Sequence, residues 1–525
     1  MKNIDESLKE PLNPIDSTID KAIEDISSNG LQESINENND DKDDNKDEHI
    51  IKDAKNERLG GKPPLKTILS LLLGPVLSQV TNALFGIVTT IWVSKAIGID
   101  GVSSIATMNA FDGIGRAFGF FLAVAASTQI SSLFGKGLSD EVGQLISDLL
   151  RMCLVFGAIV PAILLPILKP CARWFGAEEK IVQMGFDYML PLASFSATTC
   201  IFVAVGGFLQ GEGRTFLFGL MSVGSIVLNM LVLHPLFLLA FKMGINGASY
   251  ATIISEILPS IIFLGLYYGK KFTVVPKFSQ LFKKFGPHSL PSLKVGFSQL
   301  IAQLSICIPC VLVRKYVGMT INNEKIFTDA MAGLNSAYRI NNLSIAVYMA
   351  VAQAFIPAAS YAYAAKKYRR FLRLMIHSIW INFAWGCYTM VFTFSIPKQL
   401  AKILASGDGY LQWAEPMIRI INSLAPVAGI RMNSQSACQA LQLGTRATIL
   451  SFLNNFVSIC LYTLLLYYTD KTDGKRIIWC YPLTYATSIV FSIIMLWKPL
   501  SNIIKLAKEE KEMEENKELE NISET

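Results

Sequence analysis

Residues 269–289 read GKKFTVVPKFSQLFKKFGPHS. This is the longest polar interruption between apolar stretches, and Lys270, Lys271, Lys277, Lys283 and Lys284 give it a strong positive charge. On either side of it, hydrophobic segments of about 20 residues recur, the length needed to cross a bilayer. A window of about 19 residues finds six before it, centred in 67–94, 102–131, 144–168, 183–210, 216–241 and 245–268. Six more follow, centred in 290–314, 330–362, 374–396, 411–440, 446–468 and 477–499. The pattern predicts an all-α polytopic membrane protein with twelve transmembrane helices in two six-helix pseudo-symmetric lobes.

The charge distribution supports the same division. The chain has 525 residues, 51% hydrophobic and 17% charged, whereas a soluble chain carries about 25% charged residues. Residues 1–66 hold 17 acids and 10 bases, and residues 501–525 hold 8 and 4, which leaves 16 acids and 33 bases between them. Acidic tails therefore flank a basic body that is only about 11% charged. The expected organisation is a disordered tail over 1–66, an N-lobe over 67–268, a basic linker over 269–289, a C-lobe over 290–500 and a charged tail over 501–525, with a Lys/Glu-rich stretch that could be helical. The first 66 residues contain no apolar run like that of a signal peptide, so the first span is expected to direct insertion. The linker and the basic cluster Lys366, Lys367, Arg369, Arg370 and Arg373 both follow an even number of spans. Lys and Arg favour the cytoplasmic face, so both tails are expected in the cytosol.

The halves look like weak copies. Ser78-Gln79 matches Ser298-Gln299, and VSKAIG at 93–98 matches VRKYVG at 313–318, both at an offset of 220. Further on, Ala110-Phe111 matches Ala337-Tyr338, Gln210 matches Gln439, Gly213 matches Gly444, and YAT at 250–252 matches YAT at 485–487. Two copies of six spans share one topology, so a two-fold axis along the membrane normal should relate them, with the substrate site between.

In order along the chain stand GPVLSQVTNALFGIVTTIWVSKAIG at 74–98, QGEGRT at 210–215, GINGASYAT at 244–252, AYRI at 337–340, QAFIP at 353–357 and SYAYAAKKY at 360–368. Over roughly 67–500 the chain resembles the multidrug and toxic compound extrusion (MATE) transporters, nearer the DinF-like branch. The resemblance implies a V-shaped pair of lobes and antiport of amphipathic organic cations, drugs or metabolites against H+ or Na+. It also exposes departures. The family's acid in span one is Thr89 here, its span-five acid before Pro235 is His234, and an acid seen in span ten of another branch falls on Arg431. The family's Asn and Gly after span eight are Ala362 and Ala364.

Ionisable groups inside a bilayer are costly and mark pathways or pairings. Glu256 lies halfway along span six without a local base. It must find a partner on another helix, meet water or hold a proton, and is either a coupling carboxylate or a hydrogen-bonded structural one. Asp112 and Arg116 are spaced to pair along one helix; alternatively Asp112 reaches Arg339, its repeat mate, as a gate between lobes. Glu415 and Arg419 repeat the i,i+4 pattern. His234 is either a proton carrier or a packing residue. Arg431, Gln435, Gln439 and Gln442 form a stripe expected to face the central cavity, where the arginine favours an anion. Asn229, Asn341, Asn342, Asn454 and Asn455 either line cavities or join helices.

No nucleotide-binding loop, zincin motif or hydrolase elbow is present, so the chain is not expected to be an enzyme. Cys307-Ile-Pro-Cys310 lacks the second pair or His that zinc requires. No cofactor is expected beyond H+ or Na+ as coupling ion. The partners are a small-molecule substrate and the lipid bilayer, with no nucleic acid, and the chain is expected to act as a monomer in the plasma membrane or a vacuolar or vesicular membrane of a eukaryotic cell. A flippase of lipids or lipid-linked sugars and a non-transporting scaffold stand as alternatives. Fourteen spans, or an open lipid-facing groove lined with arginine, would favour the first of these.

Overall fold

The computed structural model describes residues 57–174, 178–321, 323–405 and 407–523, which form helices joined by short turns. In a bilayer every backbone N–H and C=O must be bonded within the protein, and a helix does this segment by segment. The first half supplies α1 (Pro64–Ala96), α2 (Ile99–Gly135), α3 (Asp140–Trp174), α4 (Glu179–Ser194 and Ser196–Gly211), α5 (Thr215–Ala240) and α6 (Ile245–Tyr268). The second supplies α7 (Ser289–Met319), α8 (Glu324–Ala364), α9 (Tyr368–Ser395), α10 (Asp408–Asn422 and Ala425–Ala440), α11 (Gly444–Thr469) and α12 (Cys480–Ser523). Among the described residues, 9 helices are long and apolar enough to cross a membrane, or 11 when two bent pairs each count as one span. The bent pairs are α4, at 56°, and α9 with the short helix Pro397–Leu404, at 82°. The remaining span is α10, whose apolar run is interrupted by Glu415, Arg419, Arg431, Gln435 and Gln439.

The internal repeat shows in where the helices deviate. The break in α4 at Phe195 corresponds to the break in α10 at Ser423 and Leu424. A π-helical stretch at Asn229–Leu233 in α5 corresponds to one at Leu453–Val457 in α11. Such stretches widen the turn and turn side chains aside, which is why they gather at sites rather than in plain spans. Gly98 and Gly244, at φ +93° and +65°, make the tight entries to α2 and α6, a conformation that costs a side chain dearly.

One buried core draws on both lobes, from Leu59 and Ile68 through Leu122 and Phe208 to Phe355, Phe371 and Ala437. It lies at the end from which residues 57–63 and the extension of α12 emerge. Toward the other end the lobes have separate cores, Val93, Met108, Leu164 and Ala248 in one and Val313, Leu334, Met417 and Ile477 in the other. The lobes are thus joined on the tail side and part on the far side.

The tails differ from their expected states. Residues 1–56 lie outside the described residues, but the rest of the expected disordered stretch is ordered against the bundle. Leu59 is 1% exposed, and Arg370 of α9 donates to the carbonyls of Leu59 and Lys62 at 3.0 and 2.7 Å. Averaged over 66 residues the composition is that of a disordered chain, whereas the last few residues find a buried seat and a charged donor. The C-terminal tail continues α12 as a helix through Ser523, the helical state its Lys/Glu-rich pattern allowed. Ile503 and Ala507 are buried, and Arg369 pairs with Glu514 at 2.7 Å. The 269–289 linker is clamped to α3. Buried Asp148 accepts from the Gly286 N–H and the Ser289 hydroxyl at 2.7 and 2.5 Å and also pairs with Arg151.

Candidate functional site

Between the lobes lies a cavity of about 130 Å³. The N-lobe wall is Phe120, Ala123, Val124, Val203, Phe218 and Gln210. The C-lobe wall is mixed: Gln299 and Gln303 of α7, Gln353 of α8, Arg431, Gln435 and Gln439 of α10 and Asn455 of α11 stand among apolar residues such as Ile306, Ile345, Met349, Ile356 and Met432. Among the lining residues Arg431 is the one ionisable side chain. The i,i+4 spacing places Arg431, Gln435 and Gln439 on one face of α10, and that face is turned to the cavity. The Gln439 amide donates to the Ser298 hydroxyl at 2.9 Å, and that of Gln435 to Gln299 Oε1 at 3.1 Å. Gln442, expected on the same stripe, leaves it. The helix has ended, Gln442 takes φ +60°, and its amide donates to the Thr128 carbonyl of the other lobe at 3.3 Å.

A second polar group lies inside the N-lobe. The Arg116 guanidinium bridges two carboxylates, Nε to Asp112 Oδ2 at 3.0 Å and Nη1 to Glu256 Oε1 at 3.0 Å. The Thr199 hydroxyl donates to Glu256 Oε2 at 2.6 Å. Three helices therefore meet there: α2, α4 and α6. Of the fates open to Glu256, the structure realises a partner on another helix. Arg116 also occupies Asp112, while Arg339 is exposed, so the Asp112–Arg339 gate is not formed in this conformation. Fully ionised, the triad carries one net negative charge. A cleft of about 10 Å³ adjoins it, room for about one water.

His234 is buried, its Nδ1 bonds to the Asn229 carbonyl at 3.1 Å at the end of the π-helical turn, and its Nε2 is buried without a hydrogen-bond partner. The Asn229 amide donates to the Ser255 hydroxyl at 3.0 Å, joining α5 to α6. Asn455 takes the cavity-lining role and accepts from Arg431. Asn341 and Asn454 are buried, Asn342 is exposed, and Glu415 pairs with Arg419 at 3.0 Å. Cys307 lies outside the residues whose side chains are described.

Below the cavity, on the tail side, Glu212 caps the end of α4. Arg214 Nε lies 3.3 Å from its Oε2, and burial lifts the carboxyl to about 7 against the pull of Arg214 and Arg58. A carboxyl raised in the folded state favours folding at low pH and loses that contribution as pH rises through the folded value. Thermal stability is therefore expected to fall between about pH 5 and 8. Glu212→Gln should flatten that slope in a melting series; an unchanged slope assigns it to other groups.

The MatE family pattern matches residues 76–234 and 320–464, more than half of the chain. The chain belongs to the MatE family of transporters. MatE chains of known structure share its fold. An outward-facing multidrug resistance MATE family transporter of the MOP superfamily superposes at TM-score 0.75, with 21% identity, covering 85% of this chain and 97% of that one. A MOP superfamily transporter from Pyrococcus furiosus, described as having a binding pocket of reverse polarity that suggests a different function, superposes at 0.77 with 21% identity over 86% and 98%. In sequence the chain is 21% identical to the multidrug export protein MepA of Staphylococcus aureus (strain N315) over 426 residues, 78% of this chain and 89% of the relative. This MatE chain is therefore an integral multi-pass membrane transporter and not an enzyme. MepA is bacterial and the Pyrococcus protein archaeal, so these relatives lend nothing to the expected eukaryotic plasma or vacuolar membrane, and they do not separate the DinF-like branch from the others.

Two features of the MatE site were missed in the sequence. The Arg116–Glu256 bridge joins residues 140 positions apart and carries no local signal. Gln299 and Gln303 did carry one: glutamines four apart in an apolar span, the spacing that marked Gln435 and Gln439.

Proposed function

We propose that the protein is a secondary active efflux transporter that exchanges a small organic molecule for H+ by alternating access. The observation that carries this reading is that two carboxylates, Asp112 and Glu256, share one guanidinium, Arg116, inside the N-lobe, one acid more than the bases that face them. An unbalanced charge in a low-dielectric interior is costly, and one proton removes it. A sodium ion would have to approach a guanidinium held 3.0 Å from both carboxylates, so the proton is the better match of the two expected coupling ions. The name of the relative, multidrug export protein, supports efflux of organic compounds. Twelve spans favour this reading over a flippase, as does an apolar groove between α10 and α12 lined by Ile430, Ile493, Leu496 and Trp497 without an arginine. Both lobes and the cavity come from one chain, which suits a monomer. With the tails in the cytosol, the present form is open outward.

In proteoliposomes of the full chain, Glu256→Gln is expected to cut pH-gradient-driven transport by about tenfold or more while folded yield is kept, because Asp112 still neutralises Arg116. Gradient-driven transport at the wild-type rate would remove Glu256 from the coupling.

A further inference from the structure

We infer that the central cavity takes an amphipathic organic anion, with Arg431 binding its oxyanion head. The inference rests on the transporter reading above and names its substrate class. Arg431 Nη1 donates to Asn455 Oδ1, the guanidinium lies 5.8 Å from the centre of the Tyr485 ring, and its Nε is buried without a hydrogen-bond partner. Asn455 is neutral, and its amide turns away to the Ala302 carbonyl at 3.5 Å. No carboxylate is among the lining residues. The acids of the N-lobe interior, Asp112 and Glu256, are held by Arg116 instead.

A guanidinium facing a cavity inside the membrane with no counter-charge is an expensive arrangement unless a ligand supplies one. A carboxylate, sulfonate or phosphate head does so and accepts from the planar fork in two places. Around it stand the neutral side chains of Gln353, Gln435 and Gln439, the last two already donating to Gln299 and Ser298, so the head's charge is left to Arg431. Opposite them the N-lobe wall of Phe120, Val124, Val203 and Phe218 suits an apolar body. A cation would meet the Arg431 charge with no acid among the lining residues to offset it.

The test compares two dyes of opposite charge, carboxyfluorescein and ethidium, on the full-length protein. In detergent, carboxyfluorescein is expected to bind, Arg431→Gln to weaken it by about tenfold or more, and Arg431→Lys to restore part of the affinity by returning the charge. Asn455→Ala, which frees a guanidinium donor but keeps the charge, provides a second variant should Arg431→Gln fail to fold, and it should raise carboxyfluorescein affinity. Tighter binding of ethidium, binding of neither dye, or anion binding indifferent to both substitutions overturns the inference. Anion binding as expected but without gradient-driven movement in liposomes overturns the antiport reading and leaves the anion site standing. Gradient-driven ethidium movement without anion binding does the reverse.

Discussion

Arg116→Met is expected to cost the protein most of its folded yield. The guanidinium bridges Asp112 and Glu256 at 3.0 Å each, and the Glu256 side chain is 6% exposed. Methionine keeps most of the stem's volume, so the loss is electrostatic rather than a cavity. It leaves two carboxylates facing one another between α2 and α6, with only the Thr199 hydroxyl as donor to Glu256. Removing one partner of a fully buried pair costs about 3–5 kcal/mol; with the Arg116 and Asp112 side chains 27% and 32% exposed, the loss lies toward the low end, still a large share of the stability of a typical domain. The triple change Arg116→Met, Asp112→Asn, Glu256→Gln removes every charge together and should recover much of the yield, since replacing a whole buried ionic cluster is often close to neutral. Monodisperse protein after detergent extraction is the measure. If Arg116→Met alone extracts like the wild type, the triad is not an electrostatic unit.

That contrast marks what the sequence could show. The twelve spans were legible because a bilayer imposes a length of apolar residues on each crossing, and the basic stretch at 269–289 divides them into halves. The i,i+4 spacing gave the Asp112–Arg116 pair and turned Arg431, Gln435 and Gln439 to one face, since both follow from the pitch of a single helix. Glu256 could be singled out as an acid without a local base, but its partner could not be named, because which helix faces α6 at that depth is set by packing among α2, α4 and α6. The same limit applied to Gln442, where the helix ends two residues earlier, at Ala440, and the stripe is broken by a positive φ. At Leu59 the signal was diluted: one buried leucine at the end of a long acidic tail does not change an average.

Gly74→Leu and Gly444→Leu should each destabilise the fold by about 3 kcal/mol or more, the upper end for overpacking. A Cβ on Gly74 would collide with the Thr215 carbonyl oxygen, so α1 and α5 meet backbone to backbone. Gly219, one turn further along α5, has its own Cβ position 2.7 Å from Gly74 Cα. In the C-lobe a Cβ on Gly444 of α11 would collide with the Lys294 carbonyl oxygen of α7. Gly74 and Lys294 are 220 residues apart, and Thr215 and Gly444 are 229 apart, within the offsets of the sequence repeat. The same pair of spans is therefore pressed together in both lobes, but the residue without a side chain sits on the first span in one and on the fifth in the other. Helices in lipid gain little from burying apolar surface against each other and depend on such close approach. The contact, not the particular glycine, is what both lobes retain. Gly224→Leu, on the same helix as Gly219 but with no atom within 4 Å of its Cβ, should stay within about 0.5 kcal/mol of the wild type. Melting temperatures of the three variants in one detergent decide the matter: equal losses at positions 74, 224 and 444 would mean that leucine at any of these positions disturbs the lobes, and that backbone contact between first and fifth spans is not what holds them.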